Sequence, residues 1–169
     1  MFLPHNKVSD IAKEMLGLLL ETGDIETDVP REVQLDLESV LSQYLKTESE
    51  LMAKARETLT ARGLPAKDYS RILRTLAEQK KVKIGEEAMD YVLEQLVEIL
   101  LNSSNVEEIY VEDHELRRKL RIPLRKHEGA AEKLDQEVRG QMKHVEEGSA
   151  LWEVEYQRMM EDIRRRKGL

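Results

Sequence analysis

The residues best placed to do chemistry are six cations within ten positions, with no acidic side chain among them. They are Arg117, Arg118, Lys119, Arg121, Arg125 and Lys126, called here the basic ridge. On a straight helix, residues four apart share a face, so such a ridge could bind phosphate in a salt-dependent way. No aromatic residue interleaves to stack on bases, and acidic residues lie close by on the N-terminal side. We therefore predict an internal salt-bridge lattice with the acidic first helix of the same half, with RNA phosphate binding by the ridge as the alternative.

The segment Glu112-Asp113-His114-Glu115 is a second cluster, made of metal-ligating residue types. At a helix start, Glu112 and Glu115 share a face, whereas Asp113 and His114 diverge from it. Acidic residues at a helix N-terminus interact favourably with the helix dipole, and we favour that interpretation. A metal held here would be Mg²⁺ or Mn²⁺ rather than zinc. Because no phosphate-binding loop, metal-protease motif or nucleophile elbow is present, we predict no catalytic residue, metal site or cofactor.

The composition favours a soluble helical protein. The 169 residues include only four prolines and eight glycines, too few for an all-β fold with many turns. There is no cysteine, which excludes disulfides, thiolate metal sites and a cysteine nucleophile. No apolar run approaches the roughly 20 residues that a membrane span needs, and no signal peptide is recognisable. We expect a cytoplasmic protein without membrane contact, and the net charge of −7 argues against general coating of nucleic acid.

Apolar residues recur at helical spacing in two similar series. In residues 1–84, a short helix ends at Gly23, an extended link covers 24–29, and a long helix covers 31–62 before a shorter one. The long helix would measure about 48 Å, more than the roughly 40 Å diameter of a compact domain of this size. We therefore expect an elongated molecule, or a helix stripe that a partner covers.

The second series, in residues 85–169, has the same order. A helix is followed by an extended link at 106–111, a long helix that reaches Gly148, and a last helix after it. Pro123 predicts a kink or a break in the long helix near Arg121.

We predict an all-α fold of two tandem helix–link–long helix–helix units related by a pseudo-twofold. The units, residues 1–84 and 85–169, would be intertwined in one domain because neither can bury its long stripe alone. The two links could pair as a short two-stranded ribbon.

Glu48 and His127 are polar residues on otherwise apolar stripes of the two long helices. Aligning the units places them at matching positions. We predict that they meet across the pseudo-twofold as a buried hydrogen-bonded pair, which would fix the packing of the units rather than catalyse a reaction.

Three stretches carry a resemblance to a known family. They are residues 105–120 (NVEEIYVEDHELRRKL), 38–45 (ESVLSQYL) and 152–163 (WEVEYQRMMEDI). The chain resembles the uncharacterised bacterial family Domain of Unknown Function 507 over nearly its whole length. The resemblance implies a bacterial, cytoplasmic, helical protein and supplies no catalytic residues.

These observations do not define a biochemical activity. We expect a non-enzymatic helical interaction or scaffold protein that binds a protein partner or a second copy of itself. An RNA-binding accessory protein that uses the basic ridge is the alternative, and a metal-dependent enzyme is the third hypothesis.

Overall fold

Six helices and one small ribbon form the computed structural model of the chain, which describes residues 2–147 and 149–168. The helices span Val8–Glu21 (α1), Pro30–Arg62 (α2), Tyr69–Lys80 (α3), Ala88–Asn102 (α4), Asp113–Gln141 (α5) and Ala150–Lys167 (α6). The strands Ile25–Glu26 (β1) and Glu108–Ile109 (β2) pair antiparallel, with Ile25 opposite Ile109. The predicted all-α fold with a short ribbon between the links is confirmed.

Glycines end the first two helices as the sequence predicts. Gly23 has a left-handed φ of 68°, and the following N–H of Asp24 donates to the carbonyl of Leu19 at 2.9 Å. Gly63, with φ of 62°, ends α2 in the same way. Because residues with a Cβ adopt this conformation at a cost, glycine at these positions fixes where each helix stops.

Four helices enclose the main core. α1 and α4 each pack against both long helices, α2 and α5, so that the four form a closed ring. α3 packs on α2 and α6 on α5, the latter around a second cluster that includes Trp152 and Met160. Within the described residues, no helix is both long enough and apolar enough to cross a membrane.

The two halves bury equivalent positions. In α2 and in α5 with its C-cap residue Met142, buried residues recur 83 positions apart: Val33 with Leu116, Leu37 with Leu120, Leu41 with Leu124, Leu51 with Leu134, Ala55 with Val138, and Leu59 with Met142. In α1 and α4 the spacing is 81 residues, as with Ile11 and Val92. The two strands of the ribbon run antiparallel, as a twofold axis through the ribbon requires, with Ile25 opposite Ile109 and Glu26 opposite Glu108. Each half therefore covers the apolar face of the other.

The second long helix continues through the buried Pro123 without the predicted break, and it packs against α1 and α4. It also ends at Gln141 rather than continuing to Gly148, which lies outside the described residues. Met142 leaves the helix geometry and packs into the cluster formed with α6.

Candidate functional site

The basic ridge lies on the first half of α5, where most of its cations have acidic partners. Four of the six form ion pairs: Arg118 with Glu115, Lys119 with Asp24, Arg121 with Asp90, and Lys126 with Glu14. Arg117 and Arg125 have no acidic partner within the described part of the chain. Only Arg121 pairs with α4, the first helix of its own half, whereas the other partners lie on α1, in the first link and on α5 itself.

Lys119 is the most deeply engaged member of the ridge. Its ammonium contacts the carboxylate of Asp24 and donates to the hydroxyl of Thr22 at 2.7 Å. The side chains of Lys119 and Asp24 are only 13% and 4% exposed. Lys119 holds the first link against α5, which leaves it unable to bind an external phosphate without breaking a buried pair.

The second link is held at the equivalent place by different chemistry. Asp36 in α2 lies 83 residues before Lys119. Its carboxylate accepts hydrogen bonds from the Ser103 hydroxyl at 2.5 Å and the Asn105 amide at 3.0 Å. We call these two sites the lysine clamp (Lys119, Thr22, Asp24) and the aspartate clamp (Asp36, Ser103, Asn105).

The predicted pair of Glu48 and His127 does not form. Glu48 accepts a hydrogen bond from the backbone N–H of Phe2 at 2.8 Å, whereas His127 lies 3.3 Å from Glu14. The alignment used for the prediction was wrong by one helical turn. With the observed spacing of 83 residues, His127 corresponds to Tyr44, and Glu48 corresponds to the buried Ala131.

His127 and Tyr44 instead line two separate grooves at equivalent places. The groove beside His127, between α1 and α5, is ionic because Glu14 faces both His127 and Lys126. Partial burial opposes ionisation of Glu14, but hydrogen bonds from His127 and Lys126 outweigh it and lower the pKa of this carboxyl.

The groove beside Tyr44, between α2 and α4, is neutral. It has a volume of about 280 Å³ and includes Gln43, Tyr91 and Gln95 in its lining. The Tyr44 hydroxyl donates to the carbonyl of Lys83 at 2.9 Å, and burial raises the pKa of Tyr44 above its usual value.

A third depression lies where the first half meets α5, with a volume of about 440 Å³. We call it the acidic cleft. Its apolar lining consists of Phe2, Met52, Leu73, Ile84 and Ala88. Its charged lining consists of Glu48, Glu86, Glu128, Glu132 and Asp135. A cleft with an apolar surface and carboxylates around it can receive a ligand that is both cationic and partly apolar.

The carboxylates of the acidic cleft differ in how they are engaged. Asp135 accepts hydrogen bonds from the Tyr156 hydroxyl at 2.5 Å and from Arg139 at 3.0 Å. Burial, together with this hydrogen bond to Asp135, raises the pKa of Tyr156. Glu86, Glu128 and Glu132, in contrast, form no ion pair within residues 2–147 and 149–168. Their negative charge is available to a ligand.

Sequence reasoning missed the acidic cleft because its walls come from distant segments. Glu48, Glu86 and Glu128 are roughly 40 residues apart in the chain and meet only in the folded protein. One signal was present: Glu128, Glu132 and Asp135 have the spacing of residues on one helix face. That acidic face, next to a stripe of apolar residues, could have suggested the cleft.

The segment Glu112–Glu115 has the features of a helix start. Glu112 is the N-cap residue of α5, and His114 lies 3.3 Å from Glu112 and 3.7 Å from Glu115. A hydrogen bond from Arg118 lowers the pKa of Glu115. Among the residues that the structure describes, no group of three or more His, Asp or Glu side chains is arranged to hold a metal ion.

The fold and these sites define a helical protein of two interlocked, similar halves. The chain belongs to the family described as "Protein of unknown function (DUF507)", which matches residues 1–169. The predicted family resemblance is therefore confirmed over the whole chain. No curated protein matches the sequence.

Proposed function

We propose that this protein is a non-catalytic helical scaffold that binds a segment of a partner protein in the acidic cleft. One observation carries the proposal: the cleft is a concave, partly apolar surface to which both halves contribute. Its volume of about 440 Å³ lies within the usual range for ligand sites, about 300–1,000 Å³. A bacterial, cytoplasmic setting remains a prediction from the family resemblance.

The placement of the apolar lining supports a macromolecular occupant. Met52 comes from α2, Leu73 from α3, and Ile84 from the turn before α4, so an occupant would lie across three elements. An open trough of this kind suits the apolar face of a short helix or an extended segment. The occupant would also contact α5 through Glu128 and Glu132 and so bind both halves at once.

The proposal can be tested with a crosslinker placed in the cleft. The chain contains no cysteine, so Leu73→Cys provides a single attachment point for a photoreactive label. Leu151→Cys, on an exposed position of α6, is the matched control. We expect Leu73→Cys to crosslink one partner protein that is then identified and purified, and Leu151→Cys not to crosslink it.

Filling the cleft should remove this contact. Met52→Trp and, separately, Ile84→Trp should weaken binding of the purified partner at least about tenfold, with circular dichroism confirming the fold. Equal crosslinking from residues 73 and 151, or unchanged binding by both filled variants, would contradict the proposal. Crosslinking to a second copy of the chain would identify a self-association surface and would also contradict it.

RNA binding by the basic ridge is a second candidate, favoured by Arg117 and Arg125, which have no acidic partner in the described chain. Two such cations give few phosphate contacts and a shallow salt dependence. If the ridge binds RNA, Arg117→Glu combined with Arg125→Glu should abolish binding in a filter assay. An unchanged affinity would reject this candidate.

A further inference from the structure

We infer that the partner segment is basic and amphipathic, and that one of its Lys or Arg side chains binds Glu48. This inference rests on the proposed function and specifies the chemistry of the occupant. No lysine, arginine or histidine is among the described residues that line the acidic cleft, whereas five carboxylates are. Asp135 is paired with Arg139, whereas the other four carboxylates form no ion pair within the described residues, so most of the negative charge of the cleft is uncompensated.

Glu48 provides a second, independent observation. The residue is only 5% exposed, yet one carboxylate oxygen, Oε1, accepts a single hydrogen bond, from the Phe2 N–H. No residue in the described part of the chain donates to Oε2. Glu48 is one of the residues that line the cleft, and Oε2 is its oxygen without a donor. A buried carboxylate normally has several donors or a cation, so Glu48 can accept a further donor from a ligand in the cleft.

The carboxylates near the mouth extend this site. Glu128 and Glu132 lie one turn apart on α5, and Glu86 lies before α4 on the facing side. The one polar contact of Glu132 within the described chain is a 3.5 Å approach of the Gln136 amide. Cations along one face of a partner segment could pair with these acids while one deeper cation reaches Glu48.

The apolar lining excludes a purely polar occupant. Met52, Leu73 and Ile84 are half-buried, so part of their surface becomes covered only when a ligand binds. A segment with leucine-like side chains three or four positions from its cations would cover them. The net charge of −7 would speed the encounter with such a segment, and salt would slow it.

A synthetic probe tests this chemistry directly. The probe is a labelled amphipathic peptide with lysine and arginine on one face and leucine on the other. Its matched control has glutamine in place of every cation. We expect fluorescence anisotropy to show binding of the basic peptide and at least about 30-fold weaker binding of the glutamine peptide.

Protein variants locate the effect. Glu48→Gln keeps an oxygen for the Phe2 N–H and loses the charge, and it should weaken peptide binding about 30-fold. The rim variant, Glu128→Gln combined with Glu132→Gln, should weaken peptide binding about tenfold and leave the fold unchanged. The control, Glu57→Gln with Glu94→Gln, removes the same charge outside the cleft and should change the dissociation constant less than about twofold.

Failure of this inference differs from failure of the proposed function. If Met52→Trp blocks the identified partner but Glu48→Gln and the rim variant do not, the cleft binds a partner and the inference is wrong. If the control variant weakens peptide binding as much as the cleft variants do, the electrostatic attraction is not specific to the cleft and the inference is also wrong. Spermidine that binds as tightly as the peptide and depends on Glu48 would identify a polyamine site and overturn the assignment to a protein segment.

Discussion

The lysine clamp and the aspartate clamp hold two equivalent links by opposite charges. In the first, a cation on α5 is buried against an acidic link. In the second, an anion on α2 accepts hydrogen bonds from Ser103 and Asn105, two uncharged residues just before the second link. Both attachments lie beside the ends of the links that pair as the ribbon. The comparison shows that the position of an attachment is fixed by the repeat, whereas its chemistry is free to vary.

Removing the lysine clamp should have the largest effect on the stability of the fold. Lys119→Met keeps the aliphatic stem and leaves the carboxylate of Asp24 buried without its cation. We expect the free energy of unfolding to fall by about 3–5 kcal/mol. Urea denaturation followed by circular dichroism measures this loss. Arg118→Met, one residue away and exposed, should change stability by less than about 1 kcal/mol, and an equally mild Lys119→Met would show that the clamp contributes little.

Removing the aspartate clamp should cost less, because no unpaired charge is left behind. Asp36→Ala leaves the Ser103 hydroxyl and the Asn105 amide without their acceptor, at a cost of about 1–3 kcal/mol. Both groups are only partly buried, so water can replace some of the lost hydrogen bonds. Hydrogen exchange of the second link measures the local effect. Protection factors that stay unchanged there would show that Asp36 does not restrain the link.

Neutralising both partners of the lysine clamp makes it resemble the other clamp. Asp24→Asn combined with Lys119→Met should recover most of the loss caused by Lys119→Met alone, because no buried charge remains. The resulting coupling energy should be about 2–3 kcal/mol, and the double variant should lie within about 2 kcal/mol of the original protein. A double variant as unstable as the sum of the two single variants would mean that the residues act independently.

The groove beside His127 and the groove beside Tyr44 should differ in how they make stability depend on pH. The hydrogen bonds that lower the pKa of Glu14 stabilise the fold above the unfolded-state pKa of about 4.3, and this stability is lost as the pH falls through the folded-state value. Glu14→Gln copies the neutral groove, where Gln95 occupies the equivalent position. In Glu14→Gln, the free energy of unfolding should fall less steeply at low pH, by a difference of less than about 1 kcal/mol because the pair is partly exposed. Thermal melts between pH 3 and about 7 test this, and an unaltered acid limb would contradict it.

Much of this architecture could be predicted from the sequence, because it depends on periodic apolar residues. Helical spacing gave the all-α fold, and the order of elements gave the repeat and the ribbon. The register of the repeat could not be obtained in the same way. Along an amphipathic helix a shift of four residues preserves the apolar stripe, so the alignment of Glu48 with His127 looked as good as the correct one.

Side-chain partners were less predictable than the fold. The local excess of cations in the basic ridge was clear, but its partners Glu14, Asp24 and Asp90 come from other elements. The acidic cleft has the same origin, since its carboxylates converge from α2, α4 and α5. The partner of a charge that is paired through tertiary contacts cannot be identified from its own segment, and one segment shows at most the acidic helix face of Glu128, Glu132 and Asp135.

The clamps also decide which half can assemble with which. If the first half packed against a copy of itself, Asp36 would meet the acidic link that contains Asp24, and two carboxylates would repel each other. If the second half did so, Lys119 would meet the uncharged Ser103 and Asn105 in place of Asp24. When the first half packs against the second, Lys119 lies against Asp24, and Asp36 accepts hydrogen bonds from Ser103 and Asn105. The chain thus resembles an obligate heterodimer whose two subunits are made as one polypeptide.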